Sequence, residues 1–144
     1  MPTEIRMERE MCFGICPAYH VTLRSDGYLI YEGLAYVKHV GTWKAKVAQR
    51  RFRNLARLAD RVQFATLKTN PLVTFDVQQT TVIAKFQVNE HSVHENGDGP
   101  DGLHALERRI DSVIRSAHDW RRLKPPESGW LIKGDTDTAP RRPG

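Results

Sequence analysis

Residues 9–33 read REMCFGICPAYHVTLRSDGYLIYEG and contain both cysteines of the chain, its clearest strand pattern and its clearest turn. From Ala18 onward, apolar and polar residues alternate, which is typical of a strand with one buried face. Asp26-Gly27 is the strongest short hairpin signal, so the chain is expected to reverse there. The stretch therefore predicts a β-hairpin. Its inward face is predicted to consist of Tyr19, Val21, Leu23, Leu29 and Tyr31.

The segment before the hairpin alternates loosely over residues 4–10 and predicts a first strand with one wet face. The run 12–17, CFGICP, then interrupts this pattern. Gly14 can adopt positive φ, whereas Pro17 fixes its own φ and favours extended geometry at Cys16. We expect a tight loop or a bulge at this point.

After the hairpin, a third strand is predicted over Ala35–Gly41, with Val37 facing inward. Thr42 and Trp43 are then expected to lead into a helix over Lys46–Val62. At 100° per residue this helix has an apolar stripe and an opposite basic stripe. The apolar stripe consists of Ala48, Phe52, Leu55, Ala59 and Val62. The basic stripe consists of Lys46, Arg50, Arg53, Arg57 and Arg61.

The second half of the chain repeats the order of strands followed by a helix, without a repeat in the sequence itself. Its predicted elements are a short strand over Val73–Val77, a strand over Thr80–Val88, a short strand over His91–Glu95, a loop over residues 96–102 and an amphipathic helix over Leu103–Leu123. The apolar stripe of this helix consists of Leu103, Leu106, Ile110, Val113, Ile114, Ala117 and Trp120. Strands linked by hairpins, with helices segregated to one face, indicate an α+β fold. We expect an antiparallel sheet of about five to six strands with two amphipathic helices packed on one face.

The length of 144 residues suits a single domain. We assign residues 1–124 to that domain and residues 125–144 to a mobile tail, because the tail is polar and rich in proline and glycine. Residues 130–132, Trp-Leu-Ile, are the only part of the tail expected to dock.

The composition is that of a soluble globular protein, and the net charge of +5 permits an anionic partner without requiring one. No apolar run is long enough to cross a membrane, and residues 1–11 contain no secretory signal. We therefore expect a cytoplasmic protein, or an exported one if a leader has been removed. No cofactor is expected, and the partner, whether a protein or another anionic molecule, is unknown.

The stretch 9–33 resembles a bacterial family known only as a domain of unknown function. The resemblance rests on the signature R-x-x-C-x-G-x-C-P-x-Y, followed by D-G and Y-x-G. In this chain those positions are Arg9, Cys12, Gly14, Cys16, Pro17, Tyr19, Asp26, Gly27, Tyr31 and Gly33. The similarity extends over residues 4–122 and includes Asp76 and Trp120. It implies a common fold, with no activity to transfer. Many members look exported or lipid-anchored, whereas residues 1–11 contain no such leader.

Cys12 and Cys16 leave three roles open. They can be structural, as packed thiols or a local disulfide, which a tight loop permits. They can share a metal, or they can act as a catalytic or redox-sensing pair. The structural role is favoured, because thioredoxin-type pairs have two intervening residues and a helix N-terminus that lowers the thiol pKa.

The six histidines do not form a metal motif. A zinc site needs about four N or S ligands. Cys12, Cys16, His20 and one residue of a neighbouring strand could supply four, but no sequence motif indicates that they lie together. His91 and His94 lie three apart in a predicted strand, so their side chains should point to opposite faces. We name no metal ligands.

Two polar features remain. The basic stripe predicts a solvated helix face, an anion- or nucleic-acid-binding surface, or a surface for an acidic protein partner, and the solvated face is favoured. Arg9 and Asp76 lie in apolar, strand-like surroundings. Each is predicted to be one half of a buried pair that holds the cysteine loop, and catalytic use is the alternative.

No phosphate loop, nucleophile elbow, H-E-x-x-H or paired-carboxylate motif is present, which argues against an enzyme. A non-enzymatic binding module that uses residues 12–17 and the basic stripe is the favoured function. The alternatives are a thiol-dependent enzyme or redox sensor that uses Cys12 or Cys16 and, third, nucleic-acid binding through residues 46–61.

Overall fold

The computed structural model describes residues 1–69 and 77–126, and this part of the chain forms one antiparallel sheet with two helices. The first half contains β1 Glu4–Arg9, β2 Ala18–Arg24, β3 Tyr28–Ala35, β4 Gly41–Lys46, the helix α1 Gln49–Arg61 and a single 3₁₀ turn, Phe64–Thr66. The second half contains β5 Thr80–Lys85, β6 Glu90–Glu95, the helix α2 Asp101–Ser116 and β7 His118–Lys124. The α+β class is thus confirmed, with seven strands in the described residues instead of five to six.

The strands lie in the order β6-β5-β1-β2-β3-β4-β7, and every neighbouring pair is antiparallel. β1 lies between β2 and β5, so that Ile5 pairs with Leu23 on one side and with Ala84 on the other. All three side chains are fully buried. The long-range pairing of β1 with β5 therefore joins the two halves of the chain into one core.

One face of the sheet forms the core, and both helices pack on it. The inward residues predicted for the hairpin are all buried. They belong to one hydrophobic cluster with Phe52 and Leu55 of α1 and with Leu106 and Ile110 of α2. The opposite face carries half-exposed polar side chains, as the alternating pattern requires.

The predicted turn between β2 and β3 is confirmed. Gly27 has φ of 89°, which favours glycine, and a Cβ there would lie 2.7 Å from the Val47 carbonyl oxygen. The Asp26 carboxylate accepts a hydrogen bond from the Tyr28 N–H at 3.0 Å. Both Asp26 and Gly27 therefore stabilise the turn, Asp26 through its side-chain hydrogen bond and Gly27 through its positive φ.

The strand predicted over Ala35–Gly41 is wrong. β3 continues to Ala35, and residues 36–40 then curl back over the sheet. His39 approaches Gly33 so closely that a Cβ on that glycine would lie 1.8 Å from the His39 carbonyl oxygen. The next strand is β4, where Trp43 and Ala45 are buried, so the helix predicted from Lys46 begins only at Gln49.

The helix predicted over Leu103–Leu123 is too long. α2 ends at Ser116, Ala117 is extended with φ −65° and ψ 150°, and His118–Lys124 form β7. β7 pairs with β4, which would otherwise expose an unpaired sheet edge. Trp120 matched the helical period, but it reaches the core from this strand and stacks on His39 with ring centroids 3.9 Å apart. Tertiary pairing has overridden the local pattern.

One further predicted boundary is wrong, and two further predictions fall largely outside the described residues. β5 ends at Lys85 and not at Val88, whose side chain is 93% exposed in the turn to β6. The strand predicted over Val73–Val77 lies outside the described residues except for Val77, and only residues 125 and 126 of the predicted tail are described. Among the described helices, none is long and apolar enough to cross a membrane.

Candidate functional site

The loop that joins β1 to β2 is closed by a disulfide between Cys12 and Cys16, whose Cα atoms are 5.9 Å apart. Within this disulfide loop, defined as residues 12–16, the Gly14 N–H points at the Cys12 sulfur at 3.2 Å. The two sulfurs bond to each other, so the zinc site considered with both thiolates is not formed. The local disulfide considered for the two cysteines is thus present, whereas a redox role for the pair stays a prediction.

The disulfide loop presents apolar side chains to solvent. Phe13 is 87% exposed and Ile15 is 77% exposed, and the adjacent Met11 is 41% exposed. Large apolar residues are costly to expose, and a group of them on a restrained loop is typical of a contact surface. The sequence placed the cysteines in this loop, but it did not mark Phe13 or Ile15 as surface residues.

Gln78 anchors both ends of this loop. Its side-chain amide donates to the Pro17 carbonyl at 2.6 Å and to the Glu10 carbonyl at 2.9 Å. Pro17, which was predicted to shape the loop, thus also supplies an acceptor that ties the loop to the segment before β5. Gln78 was not identified from the sequence, because no local pattern marks a residue that bonds to a loop 61 positions away.

A cavity of about 360 Å³ opens beside the disulfide loop. Met11 forms one wall, and β3, β4 and the segment after β7 form the others. The lining residues are Met11, Glu32, Gly33, Leu34, Gly41, Thr42, Lys124, Pro125 and Pro126. Its lining is therefore mixed, with both apolar and polar residues.

Arg9 holds the base of the loop through a network from four elements. Its guanidinium donates to the Tyr19 hydroxyl at 3.1 Å, to the Thr80 hydroxyl at 3.2 Å and to the Asp111 carboxylate at 3.0 Å. Tyr19 also donates a short hydrogen bond to Asp111. The predicted partner, Asp76, lies outside the described residues. Among the described residues, Asp111 and Glu107 of α2 are the carboxylates that pair with Arg9, and Asp111 is the nearer one.

This network controls the ionisation of its members. Burial alone lowers the pKa of Arg9, but Tyr19 and Asp111 together raise it above its ordinary value, so the guanidinium stays charged. Burial, followed by the neighbouring Asp111, raises the pKa of Tyr19 well above its ordinary value. Tyr19 is therefore held as a neutral hydrogen-bond donor, which is a structural role.

A second carboxylate group lies behind Arg9. Glu107 of α2 is 5% exposed, and its Oε1 lies 3.7 Å from Arg9 Nη1. Burial, followed by hydrogen bonding and repulsion from Glu95, raises the pKa of Glu107 to about 8. Glu95, at the end of β6, is 4% exposed and lies 3.6 Å from His104 Nε2.

The buried acids were missed in the sequence, although α2 carries a signal for them. Glu107 lies four residues after Leu103 and three before Ile110, inside the predicted apolar stripe. An acidic residue on a buried helix face needs a partner. Only the fold shows that Arg9 and Glu95 are the neighbours of Glu107.

The remaining histidines lie apart from one another. His20 lies on the open sheet face, 2.9 Å from Glu10 and 3.4 Å from Glu32. His91 contacts the Leu67 carbonyl at 2.8 Å, whereas His94 contacts Thr81 at 2.9 Å. The other two are His39, in the aromatic cluster of β4 and β7, and His118, on the surface beside Asp119.

The basic stripe is only partly on the helix. Arg50, Arg53, Arg57 and Arg61 are exposed on α1, whereas Lys46 is the last residue of β4. None of these five side chains forms an ion pair with a residue in ranges 1–69 and 77–126. The four arginines therefore lie exposed on α1, and an anion-binding role for the stripe stays a prediction.

The fold and its loop define a class of small α+β domain. Its loop is closed by a disulfide and exposes apolar side chains, and the partly buried Arg9 network lies next to that loop. The family model DUF6438, a domain of unknown function, matches residues 3–114, and the chain belongs to this family. The match covers every element from β1 to α2 except the last two residues of that helix. Comparison with curated proteins finds no match.

Proposed function

We propose that this protein is a non-enzymatic binding module whose contact surface is the disulfide loop. One observation carries the proposal: Phe13 and Ile15 are almost fully exposed at the tip of a loop closed by a covalent bond. A restrained loop loses little conformational entropy on binding, so more of its contact energy contributes to affinity. Exposed aromatic and aliphatic side chains of this kind act as interface anchors.

The surroundings of the loop favour a protein partner over a lipid surface. Glu10 and Glu32 flank His20 beside the loop, and Glu32 also lines the cavity next to Met11. Carboxylates at this position repel anionic membranes, whereas they suit the polar rim of a protein interface. The expected partner presents an apolar pocket for Phe13 and Ile15, bordered by basic or hydrogen-bond-donating groups.

Site-specific photo-crosslinking in cells tests this proposal. A photoreactive phenylalanine analogue at position 13 is expected to give one discrete protein adduct, which is lost when Ile15 is changed to serine. The matched control is the same analogue at Val88, which is 93% exposed on the β5–β6 turn and lies outside the loop. No adduct from position 13, or the same adducts from both positions, contradicts the proposal. Binding of the purified protein to neutral lipid vesicles, abolished by Phe13→Ser, would assign the loop to membranes and would also contradict it.

The thiol-dependent alternative has less support. A catalytic or sensing thiol must be free at some stage, whereas both sulfurs are bonded to each other here. Disulfides persist mainly in oxidising compartments. The disulfide thus favours export over the cytoplasmic location expected from the sequence, and the cellular location stays a prediction. Trapping of thiols by alkylation directly in cells distinguishes these cases, because a cytoplasmic redox sensor shows a substantial reduced fraction.

Nucleic-acid binding through α1 is the third candidate, and the exposed row of Arg50, Arg53 and Arg57 supports it. Such binding weakens steeply as salt rises, because phosphate contacts release counterions. Changing these three residues to glutamate should abolish it. Binding that is absent, or insensitive to salt, removes this candidate.

A further inference from the structure

Three side chains with metal-binding atoms converge behind Arg9. Glu95, His104 and Glu107 each offer one ligand atom, and these atoms all lie within 4.8 Å of one another. His104 and Glu107 are three residues apart on α2 and so share one helix face. Glu95 enters from the end of β6, on the other side of the cluster.

Glu107 is only partly satisfied by the described chain. Arg9 forms its shorter ion pair with Asp111, where Nη2 lies 3.0 Å from Oδ2. Its Nη1 lies 3.7 Å from Oε1 of Glu107. Glu107 Oε2 is buried and accepts no hydrogen bond from any residue that the structure describes. Two buried carboxylates therefore face each other, and their nearest basic groups are Arg9, 3.7 Å from Glu107, and His104, 3.6 Å from Glu95. Such an arrangement is costly unless a positive group lies between them.

Glu95 is held in place from behind. One of its oxygens accepts a short hydrogen bond from the Gly97 N–H, and the other faces His104. The backbone at Gly99 packs against this side chain, since a Cβ there would lie 2.7 Å from the Glu95 Cβ. The loop between β6 and α2 thus directs Glu95 toward the helix. His104, whose side chain is 30% exposed, leaves a path to solvent.

We propose that Glu95, His104 and Glu107 form a binding site for a divalent transition-metal ion. One imidazole nitrogen and two carboxylates are a donor set suited to Zn²⁺, Mn²⁺ or Fe²⁺. The imidazole makes the set less suited to Mg²⁺ and Ca²⁺, which prefer oxygen ligands only. The ion would neutralise the buried carboxylates and join β6 to α2. This site is independent of the disulfide loop and of the proposed binding function.

Zinc titration of the full chain tests the proposal. The protein is purified without a polyhistidine tag, treated with a chelator, dialysed and titrated with Zn²⁺ by calorimetry, with thermal unfolding measured in parallel. We expect one Zn²⁺ per chain and a rise of several degrees in Tm, since a ligand that binds only the folded state stabilises it. Mg²⁺ at the same concentration should produce no such rise.

Two variants locate the site. His104→Ala removes a partly exposed ligand, and Glu107→Gln removes a buried one. Each should weaken Zn²⁺ binding at least tenfold, whereas His118→Ala, which removes an exposed histidine outside the cluster, should leave it unchanged.

Three outcomes overturn the proposal. The first is failure of the wild-type chain to bind Zn²⁺. The second is unchanged affinity in His104→Ala, which would place the bound zinc elsewhere. The third is a Glu107→Gln variant that is more stable than the wild type while zinc has no effect on either. That result would show that a shared proton, and not a metal ion, joins the two carboxylates.

Discussion

Arg9 connects β1, β2, β5 and α2 through one guanidinium group, which binds Tyr19, Thr80 and Asp111. Its side chain is 16% exposed, so these contacts replace most of the water that would otherwise solvate the charge. Charge-assisted hydrogen bonds to a partly buried group are stronger than those on an open surface. At the scale of single residues, this anchor joins four elements at the end of β1, next to the disulfide loop.

Asp111→Asn should therefore lower the free energy of unfolding by about 2 kcal/mol, because Arg9 loses the carboxylate that balances its charge. Urea unfolding followed by tryptophan fluorescence measures the change. The matched control is Asp119→Asn, which alters an exposed acid at a positive φ that asparagine tolerates. The control should differ from the wild type by less than about 0.5 kcal/mol. Equal effects of the two substitutions would contradict the anchor.

Asp26 makes the hairpin turn sensitive to acid. The hydrogen bond from the Tyr28 N–H, followed by Arg24, holds the pKa of Asp26 below its ordinary value. A carboxylate with a depressed folded-state pKa stabilises the protein above its unfolded pKa, and this contribution is lost as the pH falls through the folded one. The urea midpoint of the wild type should thus fall more between pH 7 and pH 3 than that of Asp26→Asn. Parallel curves for the two proteins would disprove this assignment.

At the scale of the elements, β7 has the largest consequence for the fold. It covers the edge of β4 and brings Trp120 onto His39, with Tyr31 and Trp43 at the ring edges. The strand is mostly exposed, and Trp120 is its aromatic residue that packs against the core. Without this side chain, the edge of β4 would be poorly protected.

Trp120→Ala should cost about 2–3 kcal/mol of unfolding free energy, somewhat less than a fully buried tryptophan, because this one is half-buried. Leu123→Ala in the same strand provides the control, since Leu123 is 48% exposed and should cost less than about 0.5 kcal/mol. Hydrogen exchange of the β4 amides should also accelerate in the tryptophan variant alone. A larger loss in Leu123→Ala would mean that the strand docks differently.

The β3–β4 connection depends on the close approach between Gly33 and His39. Gly33→Ala should destabilise the protein by at least about 2 kcal/mol or prevent folding, because the new Cβ would overlap the His39 carbonyl. Gly14→Ala is the control from the disulfide loop, where the nearest atom to an added Cβ is 3.9 Å away. Thermal unfolding of both variants checks this expectation, and similar midpoints would refute it.

At the scale of the whole molecule, the core and the disulfide loop are separate. The hydrophobic cluster draws on both helices and on β1 to β6, and it contains no residue of the disulfide loop. The disulfide closes a ring with a sequence separation of only 4. Removal of the disulfide is therefore expected to change the conformation of the loop more than the stability of the fold.

Cys12→Ser combined with Cys16→Ser should lower the free energy of unfolding by no more than about 2 kcal/mol, the loop-entropy estimate for so short a ring. Urea unfolding with and without reductant measures this effect. The wild type should respond to reductant, whereas the double variant should not, and far-UV circular dichroism should match in all samples. Global unfolding on reduction would show that the disulfide supports the core after all.

Much of this architecture could be predicted from local patterns. The hairpin around Asp26-Gly27, the inward face that includes Tyr19 and the apolar stripes of both helices each follow from spacing within a few residues of each other. The disulfide was one of the roles left open for the two cysteines, since their spacing permits it. These features are decided by contacts between sequence neighbours, so the sequence alone carries them.

The tertiary structure alone decided the rest. Strand β7 has the periodicity of a helix, and only pairing with β4 makes it extended. Asp111 and Glu107 become partners of Arg9 because α2 packs on the sheet next to it, about a hundred residues along the chain. The sequence determined which faces are apolar, whereas the assembled fold determined which charges meet. The physical reason is that hydrophobic periodicity is local, while the burial of a charge depends on elements that are distant in sequence.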